Sequence, residues 1–164
     1  MQEEQQAEKN LDSKQIIYLK SKSGNIFFED DLDKLEPSSY DDFKKAFSFL
    51  LDGGNVFLNN SKMKDLSNNE YLRGIKECKH FQSRIFYTHL IDNYVLVIMG
   101  DVKKADNPKL LRERLIARRK LALEYRPQLL SQLKDPKERA DLMAENNIVT
   151  ERIDAKISSM KRGK

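Results

Sequence analysis

The chain has one cysteine, two histidines and no apolar run near the roughly 18 residues that a membrane span requires. A lone Cys78 excludes an internal disulfide framework, and no neighbouring pattern makes it a nucleophile or a metal ligand, so it reads as a buried or half-exposed thiol. The acidic stretch DDLDK, residues 30–34, lacks the glycine and distal glutamate of a calcium loop and reads as a solvated turn or helix start. The opening MQEEQQAEKN is polar and acidic, the reverse of a secretory signal with its basic start and apolar middle. These absences point to a cytoplasmic protein. Its 164 residues suffice for one core and an appendage, but not for two full domains.

What is present is an uneven distribution of charge. Residues 1–58 hold 7 lysines against 12 acids, a balance of −5, whereas residues 102–126 hold 9 basic residues against 3 acids, or +6. The net charge of +4 hides this asymmetry. A concentrated basic stripe suits nucleic acid or an acidic partner, because phosphate contacts are where such charge contributes most; a solvated helix face is the alternative.

Local patterns outline the fold. Residues 1–13 have no periodicity and read as a polar tail. Residues 15–20 (QIIYLK) form a first strand, followed by a Ser/Gly turn and a short strand or hook at 26–28. Ser38 or Ser39 caps a helix whose Phe43, Phe47, Leu50 and Leu51 recur at three and four residues, and Gly53-Gly54 ends it. Strands are expected over 71–77, 81–90 and 94–102. The last two form a hairpin across Asp92-Asn93, residues that tolerate the positive φ of a tight turn. Alternation puts Arg84, Phe86 and Thr88 on one face of a strand and Ile85, Tyr87 and His89 on the other. Tyr87 then belongs to the core, His89 reads as a partly buried structural residue, and His80 as a solvated loop residue.

Asn107-Pro108 starts a helix that Arg126-Pro127 should stop or bend. Leu110, Leu111, Leu115, Ala117, Leu121, Ala122 and Tyr125 share one arc of it, and Arg114 and Arg118 fall inside that arc. Those two arginines either snorkel past the core edge or point into a cleft, where a guanidinium fork can hold a phosphate or a partner's carboxylate. Residues 127–164 read as two or three short helices separated at Asp135-Pro136 and Asn146-Asn147, too sparsely apolar to fold alone. They must dock on the domain or on a partner. The expected fold class is α+β, a mainly antiparallel sheet of three to five strands packed on helices over residues 14–126, with a C-terminal helical extension.

The pieces EYLRGIKECKHFQSRIFYTHLIDNYVLVIMGDVKKADNP and ARRKLALEY, with KMKDL at 62–66 before them, resemble the RelE/ParE toxin superfamily, most closely its phage-related HigB-like branch. The resemblance covers roughly residues 14–126 and rests on the order of Arg73, SRIFY at 83–87, VIMGDVKK at 97–104 and the helix after Asn107. It implies a microbial ribonuclease that cuts mRNA, often on the ribosome, without metal or cofactor. An antitoxin, expected to be of helix-turn-helix type, would silence it. The reaction would be attack of the RNA 2′-hydroxyl on the adjacent phosphorus, which needs cations around the phosphorane and a group to move protons.

By position, Arg84 matches the family's phosphate-stabilising strand arginine. Lys103 and Lys104 match the basic pair after the last strand, Arg73 or Lys76 the basic residue on the neighbouring strand, and Lys62 the lysine-rich turn. The expected catalytic residues are Arg84, Lys104 and Arg73, and the expected nucleic-acid contacts are Lys62, Lys76, Lys103, Arg114 and Arg118. Met99 and Asp101 flank Gly100 where relatives often carry a His and an aromatic, which leaves the general base unassigned. Two alternatives use the same surface for docking alone: a ParE-like toxin that inhibits a topoisomerase, and an inactive phage-related binding protein.

Overall fold

The strongest local instruction in the chain is the pair of β-branched and aromatic runs on either side of Asp92 and Asn93. In the computed structural model, which describes residues 14–35, 39–51, 63–66, 70–80, 82–102 and 108–162, these runs are β4 (Ser83–Ile91) and β5 (Tyr94–Val102). They pair antiparallel through a turn in which Asp92 takes φ 51°. Antiparallel to β4 on its other side lies β3 (Ile75–His80), and the three-residue β2 (Met63–Asp65) pairs with β3. A short parallel strand, β1 (Gln15–Tyr18), runs along β5, so the sheet order is β1-β5-β4-β3-β2. The fold is α+β, with a mixed, mostly antiparallel sheet.

Residues 71–73, expected to begin a strand, instead form a 3₁₀ turn at Glu70–Leu72 and a bend through Arg73 and Gly74. Gly74 takes φ 85°, which breaks the extended run before Ile75.

The ladder slips inside β5. Phe86 faces Met99 but Tyr87 faces Val97, so Ile98 is an extra residue that bulges the strand. Pairing with β1 ends at the same place, the last partner of β1 being Val97. From Ile98 onward, the outer edge of β5 therefore needs something other than a strand.

Helix α1 (Phe27–Asp33) supplies part of that cover. The hook expected over 26–28 closes through an Ile26–Lys20 bridge, but Phe27 already begins the helix. Seven residues make a helix too short to persist alone; Phe28 and Leu32, four apart and both fully buried, hold it on the sheet. Asp31, expected in a solvated turn, is buried there at 3% exposure because the turn is a helix lying on the core.

Helix α2 (Tyr40–Leu51) has the expected stripe and packs Phe43, Phe47 and Leu50 on the same face, against Cys78, Ile85, Tyr87 and Val97. A Cβ at Gly100 would lie 2.6 Å from Phe43 Cζ and 2.7 Å from Phe28 Cε1, so this strand residue has no room for a side chain. Of the proposed caps, Ser39 directly precedes the helix; Ser38 and the Gly53-Gly54 stop lie outside the described residues.

Two 27-residue helices complete the chain, α3 (Pro108–Lys134) and α4 (Pro136–Arg162). Asp135 separates them, its carboxylate accepting the Glu138 N–H at 3.0 Å as an N-cap. The other expected breaks do not occur. Pro127 sits inside α3, where burial on both sides of it outweighs a proline's usual penalty of about 3 kcal/mol: Leu115 and Ala122 before it and Leu133 after it enter one core with Phe86, Leu96 and Ile98.

Asn146-Asn147 does not interrupt α4 either. Asn146 is buried because it serves the sheet edge, its Oδ1 accepting the outward Tyr18 N–H at 3.0 Å while its Nδ2 donates to the Leu142 carbonyl at 2.8 Å. Around this point α4 crosses the β1 edge. Met143 joins the core under α3, whereas Val149, Ile153 and Ile157 join the core under α1 and α2. The boundary expected after residue 126 thus falls within α3, and the segment beyond it is packed into both cores. No helix among the described residues is long and apolar enough to cross a membrane.

Candidate functional site

Because β3, β4 and β5 are adjacent, their register decides which charges meet. Arg84 lies opposite Lys79 on one side and Asp101 on the other, with Glu77 two residues along β3 and therefore diagonal to it. All point to the face that α3 covers. Arg84 Nε is 3.3 Å from Glu77 Oε1, and its Nη1 donates to the Ser83 carbonyl at 3.2 Å. Asp101 accepts the Val102 N–H at 2.7 Å with one oxygen and Arg114 of α3 at 3.1 Å with the other. Glu77, Arg84, Asp101 and Arg114 thus form a row of alternating charge across three strands and onto a helix. Exposure is low at one end, the side chains of Glu77 and Arg84 being 13% and 9% exposed, and higher at the other, those of Asp101 and Arg114 being 26% and 42%. The row opens to solvent near the end of β5, the strand that leads directly into Lys103 and Lys104.

Arg118 lies on the opposite flank of β5. It is 9% exposed and holds Asp31 through both terminal nitrogens, at 2.5 and 2.8 Å. It also donates to the Ile98 carbonyl at 3.2 Å and stacks over the Phe27 ring at 4.5 Å. Asp31 in turn accepts the Gly100 N–H at 2.9 Å. The pair thereby satisfies the edge that the bulge leaves without a strand. Burial pushes the Asp31 carboxyl above the usual carboxylate range, against the pull of Arg118 and the Gly100 N–H.

The expected site residues are therefore dispersed. Arg84 and Arg114 share the charged row; Arg118 is engaged with Asp31. Arg73 is exposed beyond the start of β3, four residues before Glu77, and its carbonyl accepts Arg119 Nε at 2.8 Å. Lys76 alternates onto the α2 side of β3, with Cys78, and so faces away from Arg84. Lys62, Lys103 and Lys104 lie outside the described residues. His89 is exposed rather than partly buried, near the hairpin end of β4, its Nε2 2.7 Å from the Asp92 carbonyl oxygen. His80 is the last residue of β3, half-buried, 3.6 Å from Asp42 Oδ1 of α2, and not a solvated loop residue.

Three functional candidates were not apparent in the sequence: Glu77, Asp101 and Asp31. Glu77 becomes visible only once the β3–β4 register is set by the His80–Ser83 pair, a register that no Gly, Asn or Asp between those residues marks in the sequence.

A carboxylate held against a buried guanidinium, beside a second and more exposed pair, can do two things. It can tie strands together, or it can supply a proton acceptor next to a cation where negative charge develops. No family model and no curated protein matches this chain.

Proposed function

We propose that the chain is a cytoplasmic toxin of the RelE/ParE type that cleaves mRNA without a metal, with Glu77 as general base and Arg84 as the cation that stabilises the phosphorane. The observation that carries this reading is the 3.3 Å Glu77–Arg84 contact on adjacent strands, at the end of the sheet from which β5 runs into Lys103-Lys104. Glu77 fills the role left open by Met99. A scissile phosphate takes the Arg84 guanidinium from Glu77 and, in doing so, releases that carboxylate to accept the 2′-hydroxyl proton. The 2′-oxygen then attacks phosphorus, the 5′-oxygen leaves, and the products carry a cyclic phosphate and a 5′-hydroxyl. Lys104 is the proposed cation at the leaving oxygen and gives it the proton of the new 5′-hydroxyl. Arg114 and Lys103 hold the flanking phosphates, and a helix-turn-helix antitoxin encoded nearby covers the site.

The test is incubation of the full chain with single-stranded RNA in the presence of a chelator, followed by mapping of the ends. Cleavage with cyclic phosphate ends is expected. It should fall by about 10²-fold or more in Glu77→Gln and in Arg84→Ala, the usual cost of losing one proton acceptor or one transition-state donor. Retention of full activity by Glu77→Gln with an unchanged melt overturns the assignment of the base.

A second reading, a non-nucleolytic ParE-like toxin, is favoured by one observation: the guanidiniums of Arg84 and Arg118 both meet carboxylates of the chain itself. It requires that induction arrest growth with damaged DNA and intact mRNA.

A further inference from the structure

We propose that Tyr71 is a stacking platform for a base of single-stranded RNA, flanked by a ridge of arginines on α3 that tracks the phosphates. Tyr71 is the most exposed large apolar side chain among the described residues, at 61%, and sits in the 3₁₀ turn that packs beside α3. Two residues on, Arg73 is exposed and its backbone is clamped by Arg119. Arg73, Arg119, Leu123 and Arg126 line one small concavity between the sheet and α3, and Leu123 is itself 49% exposed.

Arg112, Arg119 and Arg126 recur every seven residues, so they lie along one side of α3 at intervals of about 10 Å. From Pro108 to Arg126 the helix carries seven basic residues against two acids, Glu113 and Glu124. On the turn itself Glu70 is the one acid. The field is positive, and it borders an exposed aromatic ring rather than a broad apolar groove.

That combination suits a particular ligand. A duplex buries the faces of its bases and offers phosphates and groove edges, which need no aromatic platform. A single strand offers phosphates and base faces together, and protein surfaces meet it with cations interleaved with aromatics. Arg119 and Arg126 already donate to backbone carbonyls, Arg126 to those of His89 and Leu90 at 2.6 and 3.3 Å. They are held in place and add long-range charge, while exposed Arg73 and Arg112 make the direct phosphate contacts. The choice of RNA rests on the ribonuclease reading; the exposed ring beside a basic helix stands independently of it.

The experiment is fluorescence anisotropy of the full chain with a labelled 12-nucleotide RNA, single-stranded or annealed to its complement, at several salt concentrations. Tyr71→Ala should weaken single-strand binding by about 10-fold, as loss of one stacked base does. Tyr71→Phe should stay within about twofold of the wild type. Arg73→Ala and Arg112→Ala should each reduce the slope of log affinity against log salt by about 0.7. Duplex binding should be indifferent to Tyr71, and Ile148→Ala, at an exposed apolar residue elsewhere, should change nothing.

Unchanged single-strand binding by Tyr71→Ala overturns the platform. So does displacement of the RNA by polyglutamate with the same Tyr71 dependence, which would make the surface a site for an acidic protein. A wild type that binds with Tyr71 dependence but does not cleave supports the platform and removes the ribonuclease reading. Cleavage and binding that both ignore Tyr71→Ala do the reverse.

Discussion

Two arginine–carboxylate pairs stand on either side of β5; their guanidiniums are about equally buried, and they differ in the enclosure of the carboxylate and in the backbone groups they serve. Arg118 and Asp31 meet through two short contacts, Arg118 stacks over Phe27, and together they satisfy the Gly100 N–H and the Ile98 carbonyl. The pair replaces a missing strand. Arg84 Nε lies 3.3 Å from Glu77, next to an Asp101–Arg114 pair that is open to solvent. An ion pair that completes the backbone hydrogen bonding of a sheet edge cannot be exchanged for a ligand without opening that edge, whereas the Glu77–Arg84 pair, inside the sheet beside a solvent-open pair, closes no edge.

The comparison breaks most sharply at Arg118. Arg118→Ala leaves Asp31 buried without its main partner and strips a donor from β5, so it should cost about 3–5 kcal/mol. Urea denaturation would read this directly. Arg84→Ala should cost less, about 1–3 kcal/mol, and show its larger effect in cleavage. Equal losses of stability at the two arginines would mean that the Glu77–Arg84 pair is also a piece of the fold rather than a site.

Gly100→Ala tests the same edge without touching a charge. The added methyl group would press on Phe28 and Phe43, and a loss of about 1–3 kcal/mol is expected from overpacking, visible as a lowered Tm with the far-ultraviolet spectrum retained.

The pH dependence separates the pairs next. The folded chain takes up the Asp31 proton at a higher pH than the unfolded chain does, because burial raises that carboxyl. Its contribution to stability is therefore fully present below the ordinary carboxylate pKa of about 3.9 and declines as pH rises through the raised folded value. Denaturation curves from pH 4 upward should show this decline, and Asp31→Asn should flatten it.

The smallest effect is expected at Arg114→Ala, whose partner contact is well exposed. It should change stability by no more than about 1 kcal/mol while weakening RNA binding at low salt. An unaltered salt slope would remove Arg114 from the binding rim.

Much of the framework was legible because it follows from neighbours in sequence. Strands β4 and β5, their turn at Asp92 and the α2 stripe follow from alternation, turn chemistry and a three-to-four residue spacing, each acting within a few residues. The helix breaks expected at Pro127 and Asn146-Asn147 failed for the opposite reason. Proline's local penalty was outweighed by Leu115, Ala122 and Leu133 entering one core, and Asn146 was recruited by Tyr18, 128 residues away, to close a sheet edge.

The same division holds for the candidate site. Sequence alone determined that Arg84 would lie on a strand face, that positive charge would concentrate after residue 102, and that the chain would form an α+β domain, since composition and periodicity are local properties. Only the tertiary structure decided which carboxylate each arginine meets. Glu77 reaches Arg84 through the β3–β4 register, and Asp31 reaches Arg118 across 87 residues because a bulge at Ile98 leaves an edge that α1 must cover. Coulomb attraction is nearly indifferent to partner identity, so pairing is decided by which backbones the hydrophobic cores bring within about 4 Å of each other.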